Sequence, residues 1–495
     1  MSFGSPVELD DIQGLVRFGF KHHIEASFLL LRVRDHEAAR RWLQSVPICT
    51  AETVEPPPET ALQIALTGDG MRALGVSDDI VEAFAADFVS GMGNDANRAR
   101  RLGDVGANDP SRWQWGAGPK VPHVLLMLYA LPSKLAAFQS AIEVQTAAGF
   151  DRMACLATSD LDGVEPFGFM DGISQPLVDW QRQRHPKDEE RADYSNLSCL
   201  GEYLLGYPNE YGGYTDRPLL DPALAGPHLP RAEDFPDRAD LGRNGSYLVM
   251  RQLRQDVHGF WQFIDRCAGG DAAVRDRIAA AMVGRSRDGV PLAGPADEAI
   301  EGGGVPGDLN AFTYRTDPHG VRCPLGAHVR RSNPRNADLP PGPPGIVSWA
   351  KRTLGFDSDA LDRDRVASTR FHRLLRRGRE YGVGVPIAQA LAEPKGSTET
   401  GLHFICLGAN IARQFEFVQN AWAIGIHFDG LPNEGDPLLG SRVAADGAPT
   451  DGFSIPRADG ADDRLAGLPQ FVTVLGGAYF FLPGIRALRF LASTQ

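Results

Sequence analysis

Two sets of strand and helix patterns recur along the chain, and this repetition constrains its fold more than any other feature. Strand patterns here are short apolar runs, whereas helix patterns place apolar residues three or four positions apart. The first set has strands at 27–34, 61–66 and 123–131 and helices at 36–46, 69–74, 79–89 and 133–148. The second set has strands at 246–253 and 402–407 and helices at 256–267, 271–283 and 409–422. These patterns predict an α+β fold with two sheet-and-helix modules.

Long irregular stretches interrupt the second set of elements. Loops of such length are usually functional or cover a partner. Near the C-terminus, Gly476 and Gly477 separate two apolar runs, and such a glycine pair is a signal of a β-hairpin. We therefore expect an N-terminal domain at 1–160 and a C-terminal domain at 161–495 that carries the long loop insertions.

The composition argues against several classes of protein. The 50 Lys and Arg residues against 63 Asp and Glu residues give a net charge of −13. A general nucleic-acid binder is disfavoured, because neutralising phosphates requires a basic face. No apolar run is long enough to span a bilayer, and the first residues have neither a signal-peptide pattern nor a twin-arginine motif. The six cysteines are scattered without a CxxC pair, so we predict a cytoplasmic protein with reduced thiols.

The first segment that could carry chemistry is FGFMDGISQP at 167–176. Glycines, an Asp-Gly pair and a proline in so short a segment predict a tight loop with a constrained backbone. Asp171 in this loop has two interpretations. Its carboxylate either bonds a turn N–H, as in many Asp-Gly turns, or is held at a fixed point as an acid or base. The residues alone leave both interpretations open.

The second segment is CPLGAHVRRSNPR at 323–335, in which a histidine lies among arginines. Because Arg330, Arg331 and Arg335 are close to His328 in sequence, we expect a positive field that lowers the pKa of the imidazole. Neutral imidazole is the form that ligates a metal, and the arginines suit an anionic partner. The alternative is a basic surface turn with an incidental histidine. A zinc site is disfavoured, because no second Cys/His pair lies nearby at the required spacing.

The third segment is FHRLLRRGREYG at 371–382. Its arginines, followed by Gly378, are also typical of the last turn of a helix, where cations favour the dipole and glycine caps the end. That alternative predicts mostly solvated side chains. The nearby aromatic residues Phe415 and Trp422 lie at helical spacing, and we expect them in the core rather than at a cofactor.

Taken together and in order, the three segments resemble the haem-site signatures of the dye-decolourising peroxidase family. The matching motifs are GFMDG at 168–172, CPLGAHVRRSNPR at 323–335 and LLRRGREYG at 374–382. Flanking blocks agree in the same order, namely LDDIQGLV at 9–16, NGSYLVMRQL at 244–253, ARQFEFVQ at 412–419 and FVTVLGGAYFFLP at 471–483. The resemblance covers nearly the whole chain and is to the larger bacterial and fungal-like branch with long inserts.

The resemblance implies two ferredoxin-like modules, each an antiparallel β-sheet with packed helices, and haem b (iron protoporphyrin IX) in the C-terminal module. It implies that His328 is the proximal iron ligand. It further implies that Asp171 is the distal acid and base and that Arg376 is the distal arginine. Gly168 and Gly172 flank Asp171 in the distal motif and are expected at the cofactor.

Two further positions follow from the resemblance. Arg335 matches a position expected to contact a haem propionate. Related sequences often have an acid where this chain has Asn410, so Asn410 is expected to support the proximal imidazole without a charge. Glu416 is the alternative support for that imidazole.

The function implied by the resemblance is a peroxidase that reduces hydrogen peroxide and oxidises dyes, phenols or other one-electron donors through a ferryl intermediate. A guanidinium beside Asp171 would lower the pKa of its carboxyl, so activity should persist into the acidic range. Nucleic acid and membranes are not expected as partners. The family often forms dimers or larger assemblies, so a homo-oligomer is possible, but no sequence feature here decides the oligomeric state. The principal alternative is a haem carrier or haem-processing protein on the same fold, with incidental peroxidase activity.

Bulky dyes cannot reach a buried haem, so electrons must enter from its surroundings. We expect them to arrive through a channel on the propionate side or by hopping from a surface aromatic residue. The window 207–214 contains three tyrosines and is the candidate for hopping. The alternative is a loop that is simply packed by its own aromatic residues.

Overall fold

One antiparallel sheet of nine strands runs through the part of the chain that the computed structural model describes. The described residues are 6–184, 194–225, 229–294, 308–336, 368–393, 399–445 and 447–493. The N-terminal part of the sheet consists of β1 (Glu25–Val33), β2 (Thr60–Leu66), β3 (Val124–Ala130) and β4 (Phe150–Ala157). Its helices are α1 (His36–Ser45), α2 (Gly68–Ala73), α3 (Asp78–Glu82), α4 (Ala86–Ser90), α5 (Ala96–Leu102) and α6 (Leu135–Thr146).

Two short strand pairs and a helix follow before the sheet resumes. They are β5 (Leu177–Val178) with β6 (Leu197–Ser198), β7 (Leu219–Leu220) with β8 (Ala239–Asp240), and α7 (Pro222–Ala225). Single 3₁₀ turns lie at Gly14–Val16, Gly106–Asn108, Pro110–Arg112, Gly118–Lys120, Leu200–Glu202, Ser368–Arg370 and Phe428–Gly430. Within the described ranges, every helix is too short or too polar to cross a membrane.

The C-terminal part repeats the strand–helix arrangement with longer connections. Its strands are β9 (Ser246–Gln255), β10 (Leu375–Arg376), β11 (Arg379–Tyr381), β12 (Gly401–Gly408), β13 (Phe453–Ile455), β14 (Asp463–Leu465) and β15 (Val472–Leu482). Its helices are α8 (Val257–Cys267), α9 (Ala272–Val283), α10 (His328–Ser332), α11 (Ile387–Ala392) and α12 (Ile485–Ser493). Two π-helical stretches, Ala412–Glu416 and Val418–Ala423, replace the α-helix expected at 409–422.

The strand order is the same in both parts of the sheet. It reads β4-β1-β3-β2 in the first part and β15-β9-β12-β10 in the second, with β11 beside β10 on β12. In each part the first strand lies between the fourth and the third, which is the order of a ferredoxin-like β-α-β-β-α-β unit. The two halves join through one residue pair, Phe481 on β15 and Leu66 on β2. The predicted α+β fold with two ferredoxin-like modules is therefore confirmed.

Both faces of the sheet are buried, because side chains alternate between two hydrophobic cores along each strand. On β1, Leu29 and Leu31 belong to one core, whereas Phe28 and Leu30 belong to the other. On β9 of the second module, Leu253 belongs to the same core as Leu29. This shared face carries the cavity described below.

The edge strand β4 lacks a strand signal in the sequence because Asp151 and Arg152 interrupt its apolar residues. As the last strand of the sheet, β4 pairs with β1 along one edge, and its other edge faces solvent. Charged residues are therefore tolerated there. The predicted hairpin at Gly476 and Gly477 is wrong. β15 passes straight through both glycines, and its register with β9 shifts between Val474 and Gly476 as in a β-bulge.

Glycine at 476 is required by a close approach between two elements. A Cβ atom at this position would lie 2.6 Å from the indole of the buried Trp115. The indole Nε1 of Trp115 in turn donates to Gln252 Oε1 at 2.9 Å, which fixes the ring against β9. The glycine pair therefore reports on packing of β15 rather than on a turn.

We expect Gly476→Ala to lower the free energy of unfolding by about 1–3 kcal/mol, because the added methyl group must displace the Trp115 ring. The measurement is the urea midpoint of the ligand-free protein. Gly213→Ala is the matched control, since a Cβ atom there meets nothing within 4 Å. Equal midpoints for the two variants would contradict the packing explanation.

Candidate active site

A cavity of about 300 Å³ lies against the sheet between β10 and β15. This volume is at the lower end of the range of roughly 300–1,000 Å³ that is typical of ligand pockets. Its floor consists of strand residues, namely Arg251, Leu253, Arg376, Leu402, Phe404, Val472 and Val474. Since neighbouring strands are about 4.8 Å apart, the four strands span about 14 Å. The cavity is thus wide across the strands of the sheet.

Asp171 enters the cavity from a loop whose backbone is held at several points. Gly168 and Gly172 have φ values of +96° and +73°, a region that favours glycine. The Asp171 N–H donates to the Gly163 carbonyl at 3.0 Å. This geometry confirms the predicted constrained loop. Neither glycine lines the cavity, so their observed role is conformational and their contact with a cofactor stays a prediction.

Arg376 reaches the same point from the edge of the sheet. It lies on β10 opposite Cys406 of β12, so the helix-end interpretation of this segment is wrong. Gly378 follows where the strand passes close to β12, and a Cβ atom there would lie 2.7 Å from the His403 carbonyl. Arg376 Nη1 donates to Asp171 Oδ1 at 3.3 Å, and its Nη2 donates to the Ser174 carbonyl at 3.0 Å. Two groups 205 residues apart therefore meet in the cavity.

The surroundings of Asp171 favour its ionised form. Burial raises the pKa of the Asp171 carboxyl, but the Arg376 guanidinium, the Gly172 N–H and the charge of His328 together outweigh burial, so the net pKa is lowered. The predicted direction of this pKa shift is confirmed. The Asp171 carboxyl is therefore ionised at neutral and mildly acidic pH.

His328 lines the cavity at the start of α10. Its Nδ1 is 2.8 Å from Oδ2 of Asp436, a fully buried carboxylate. The other oxygen, Oδ1, accepts the N–H groups of Leu438 and Leu439. Burial raises the pKa of Asp436, but His328, the Leu439 N–H and Arg331 together outweigh burial, so the net pKa is lowered. An ionised carboxylate accepts only, so Nδ1 donates and Nε2 is left for a ligand.

Two expectations about His328 are wrong. Burial lowers the pKa of its imidazole, but Asp436 outweighs burial, so the net pKa is raised rather than lowered. The neighbouring arginines do not act as expected, because both are buried and turned into the protein. Arg330 donates to the Asp317 and Cys323 carbonyls, and Arg331 donates to those of Trp422 and Gly425. The segment is therefore not a basic surface turn.

The expected support of the imidazole by Asn410 or Glu416 is also wrong, because Asp436 occupies that role. Asn410 Oδ1 accepts the Arg413 N–H at 2.8 Å. Glu416 Oε1 accepts from Arg98 and from the Tyr479 hydroxyl. Asp436 lies 108 residues from His328 in an irregular stretch, and no sequence spacing connects the two. Sequence reasoning therefore had no signal with which to find it.

A buried cationic cluster, defined as Arg285, Arg335 and Arg373, lies at the β10 end of the cavity. Arg285 and Arg373 line the cavity, and Arg335 is close enough to Arg285 to act on its charge. Burial, with help from Arg335, lowers the pKa of Arg285 to about 10. Within the described residues, these three guanidinium groups contact carbonyl, amide and hydroxyl oxygens but no carboxylate. Their acceptors belong to Gly289, Leu309, Ser174, Asn310, Phe312 and Ser195.

Such a cluster is costly unless an anion binds, because buried charges require partners. Its position fits an anionic cofactor that carries carboxylates. Arg335 itself is fully buried and donates to Asn310 and Phe312, so its contact with a cofactor carboxylate stays a prediction. Phe415 and Trp422 are buried as expected, but both also line the cavity.

Comparison with known proteins identifies relatives across most of the chain, although no family model matches it. The multifunctional dye peroxidase DyP2 of Amycolatopsis sp. is 28% identical over 445 residues, 87% of this chain and 82% of that protein. The dye-decolorizing peroxidase AauDyP1 of Auricularia auricula-judae is 27% identical over 511 residues, 97% of this chain and 86% of that protein.

Solved structures share the fold. A fungal DyP-type peroxidase from Auricularia auricula-judae superposes with a TM-score of 0.73 at 23% identity, covering 99% of this chain and all of that chain. A dye-decolorizing peroxidase in complex with 2,6-dimethoxyphenol gives a TM-score of 0.71 at 24% identity, covering 98% of this chain. The architecture is thus that of the DyP-type peroxidase fold. Relatives named as dye-decolorizing peroxidases thus match the chain along nearly its whole length.

The contact between Asp171 and Arg376 should contribute to stability in a pH-dependent way. Because the pKa of Asp171 is lowered, this contribution is present above the unfolded-state pKa of about 3.9 and is lost as pH falls through the folded-state pKa. A double-mutant cycle with Asp171→Asn and Arg376→Leu in the ligand-free protein should give a coupling of about 0.2–1 kcal/mol at pH 7. The measurement is urea unfolding from pH 7 towards pH 3, and a coupling that does not change with pH would contradict this assignment.

Proposed function

We propose that this protein is a haem b-dependent peroxidase that reduces hydrogen peroxide and oxidises phenols, dyes or other one-electron donors. One observation carries the proposal. Asp171 and Arg376 meet at 3.3 Å in a cavity that is also lined by an imidazole with a buried carboxylate behind it. An acid–base group, a cation and a metal-ligating group in one cavity are what peroxide reduction requires.

The residues present fit haem at both of its polar ends. His328 would ligate the iron through Nε2, since Nδ1 is engaged by Asp436. The cationic cluster would hold the two propionates, with Arg335 as one of the contacts, because its three guanidinium groups lack carboxylate partners within the described residues. Haem supplies an iron that binds peroxide and holds two oxidising equivalents until two one-electron donors return them.

Asp171 handles the proton of the peroxide. Its ionised carboxylate accepts a proton from one oxygen of hydrogen peroxide and delivers it, directly or through water, to the other oxygen. The oxygen that receives the proton takes both electrons of the O–O bond and leaves as water, and the two oxidising equivalents would be held by the haem. Since the pKa of Asp171 is lowered by Arg376, the base form persists into the acidic range.

Arg376 stabilises the charge that develops on the leaving oxygen. Its guanidinium is fixed by Asp171 and by the Ser174 carbonyl, so it needs little reorganisation during the reaction. A preorganised donor of this kind commonly contributes about 3–4 kcal/mol to the transition state. A protein that only carries haem needs a ligand but no such acid–base pair, which favours catalysis over the carrier alternative.

We expect Asp171→Asn to lower the rate of reaction with peroxide by about 10²–10⁴-fold, because the proton acceptor is lost. Arg376→Leu should lower it by about 10²–10³-fold. The measurement is stopped-flow spectroscopy of the haem-loaded protein with hydrogen peroxide from pH 3 to pH 8. The wild-type rate should persist into the acidic range, as the lowered pKa of Asp171 requires.

The matched controls separate cofactor binding from chemistry. His328→Ala should lose haem, read from the Soret band, whereas both distal variants should keep it. Unchanged peroxide rates in the two distal variants would overturn their roles. A haem-loaded wild type that does not turn over peroxide with any donor would instead favour the carrier alternative.

Electrons from bulky donors would enter at Tyr211. Among the tyrosines at 207–214, Tyr207 is fully buried, whereas Tyr211 is 58% exposed. The Tyr211 ring stacks on Phe371 with centroids 3.9 Å apart. The next residue, His372, packs edge-on against Trp422 at 5.4 Å, and both of these side chains line the cavity. Two ring pairs therefore lie between the surface and the cavity, and the backbone from Phe371 to His372 joins them.

We expect Tyr211→Phe to lower turnover of a large dye several-fold, because phenylalanine cannot form a phenoxyl radical, while turnover of a small phenol stays unchanged. The measurement is steady-state kinetics with both donors. Tyr214→Phe is the matched control. The Tyr214 hydroxyl donates to Glu233, and its ring is not one of the two ring pairs between Tyr211 and the cavity. Unchanged turnover of the dye by Tyr211→Phe would exclude hopping through this residue.

The remaining features of the proposal concern the protein's surroundings. Its partners would be hydrogen peroxide and a small-molecule or dye reductant. All six cysteines are free, which suits a reducing compartment such as the cytoplasm. A cytoplasmic location and a homo-oligomeric state stay predictions.

A further inference from the structure

Glu165 is a buried carboxylate next to the catalytic loop that the proposed chemistry leaves without a role. It lies six residues before Asp171 and lines the same cavity. Its Oε1 accepts the Phe169 N–H, and its Oε2 accepts the Phe167 N–H, both at 3.0 Å. Oε2 also accepts Gln255 Nε2 of β9 at 2.7 Å. The side chain therefore ties the loop to itself and to the sheet.

The other polar groups of this turn are satisfied by the backbone and by α8. The Glu165 N–H donates to the Phe169 carbonyl, and the Gly168 N–H donates to the Glu165 carbonyl. The Phe167 carbonyl accepts the indole N–H of Trp261 at 3.1 Å. The N–H groups of Phe167 and Phe169 are left for the Glu165 carboxylate alone. An amide in its place would turn an NH₂ group towards one of these donors, so glutamine cannot replace it.

Hydrophobic packing fixes the same turn from its other side. The Phe167 ring packs on Phe260 with centroids 4.5 Å apart, and the Phe169 ring stacks parallel to Trp261 at 6.4 Å. Both phenylalanines are nearly inaccessible to solvent. The carboxylate and the aromatic rings therefore hold the turn between them. Asp171 lies two residues after Phe169, the last residue whose N–H donates to Glu165.

We propose that Glu165 is a positioning residue for Asp171. Its carboxylate fixes the backbone at Phe167 and Phe169 and thereby holds the Asp171 side chain against Arg376. This inference rests on the proposed function, because it assigns Glu165 a part in the peroxide step. Glu165 itself neither touches the substrate nor exchanges a proton in that step.

The charged surroundings of Glu165 are few. Asp171 on the same loop raises the pKa of Glu165, and His328 on α10 is close enough for the two charges to interact. β9 presents the neutral amide of Gln255, and α8 presents the indole of Trp261. Burial is the largest effect and, against three hydrogen bonds, raises the pKa of Glu165 to about 7. Rates are therefore compared at pH 8, where the carboxylate is ionised. At lower pH a proton on Oε1 leaves Oε2 to accept from Phe167 and Gln255, so the turn keeps two of its three hydrogen bonds and the wild-type rate still persists into the acidic range.

The test compares the two half-reactions of the haem-loaded enzyme in Glu165→Gln. We expect kcat/KM for hydrogen peroxide to fall by about 10–100-fold, as for other groups that orient a functional residue. The kcat/KM for a small phenol donor should stay unchanged, because electron transfer from the donor does not use Asp171. A purely structural defect would instead lower the active fraction and reduce both constants equally.

Glu380→Gln is the matched control. Glu380 is a second carboxyl close enough to Asp171 for their charges to interact, but none of its side-chain hydrogen bonds reach the loop. It should keep the wild-type value of both constants. Amide exchange of the 162–172 segment in the haem-free protein gives a readout without turnover, and it should be faster in Glu165→Gln than in Glu380→Gln.

If Glu165→Gln does not fold, Gln255→Leu removes one of the three hydrogen bonds and should give a smaller loss in the same peroxide constant. Wild-type peroxide constants in the variant that folds, or equal losses in Glu165→Gln and Glu380→Gln, would overturn the proposal. Asp171→Asn measured in parallel separates this failure from that of the proposed function. If Asp171→Asn is inactive while the Glu165 variant is unimpaired, only the positioning role is wrong.

Discussion

The contact between Asp171 and Arg376 is the constraint on which the rest of the site depends. Neither side chain could reach the other if its own element were placed differently, since one lies on a loop and the other at a sheet edge. Arg376 also bonds the Ser174 carbonyl, so the loop and the strand are tied at two points. This contact also contributes most to the lowered pKa of Asp171, against burial, which raises it, and with help from the Gly172 N–H and His328. The contact that fixes the geometry of the site therefore also favours its ionised form.

Within the described residues, the buried cations at one end of the cavity are not matched by carboxylates. The cationic cluster at the β10 end has no carboxylate partner within the described residues, and burial makes such charges unfavourable. The protein keeps this cost in its ligand-free form. An anion bound at the cluster would reduce this cost, and the bound form would then be the more stable one.

The sequence was most informative where a pattern is local. Strands such as β3 and helices such as α8 follow from apolar periodicity, and the loop at Gly168 follows from its glycines. Interpretation failed where distant residues decide the outcome. The segment at Arg376 has the composition of a helix end, but pairing with β12 makes it a strand. The glycine pair in β15 suggests a turn, but glycine at 476 is explained by the Trp115 ring.

Charge is the clearest case of this difference. The arginines beside His328 in the sequence predict a lowered imidazole pKa, but a helical turn directs Arg330 and Arg331 to carbonyl oxygens instead. The group that acts on the imidazole is Asp436, 108 residues further along the chain. A carboxylate hydrogen-bonded to a histidine increases the basicity of its imidazole. The difference between a lowered and a raised pKa of His328 therefore changes what the imidazole can do. The positive field expected from the sequence would have weakened the imidazole as an electron-pair donor. The carboxylate of Asp436 instead strengthens it.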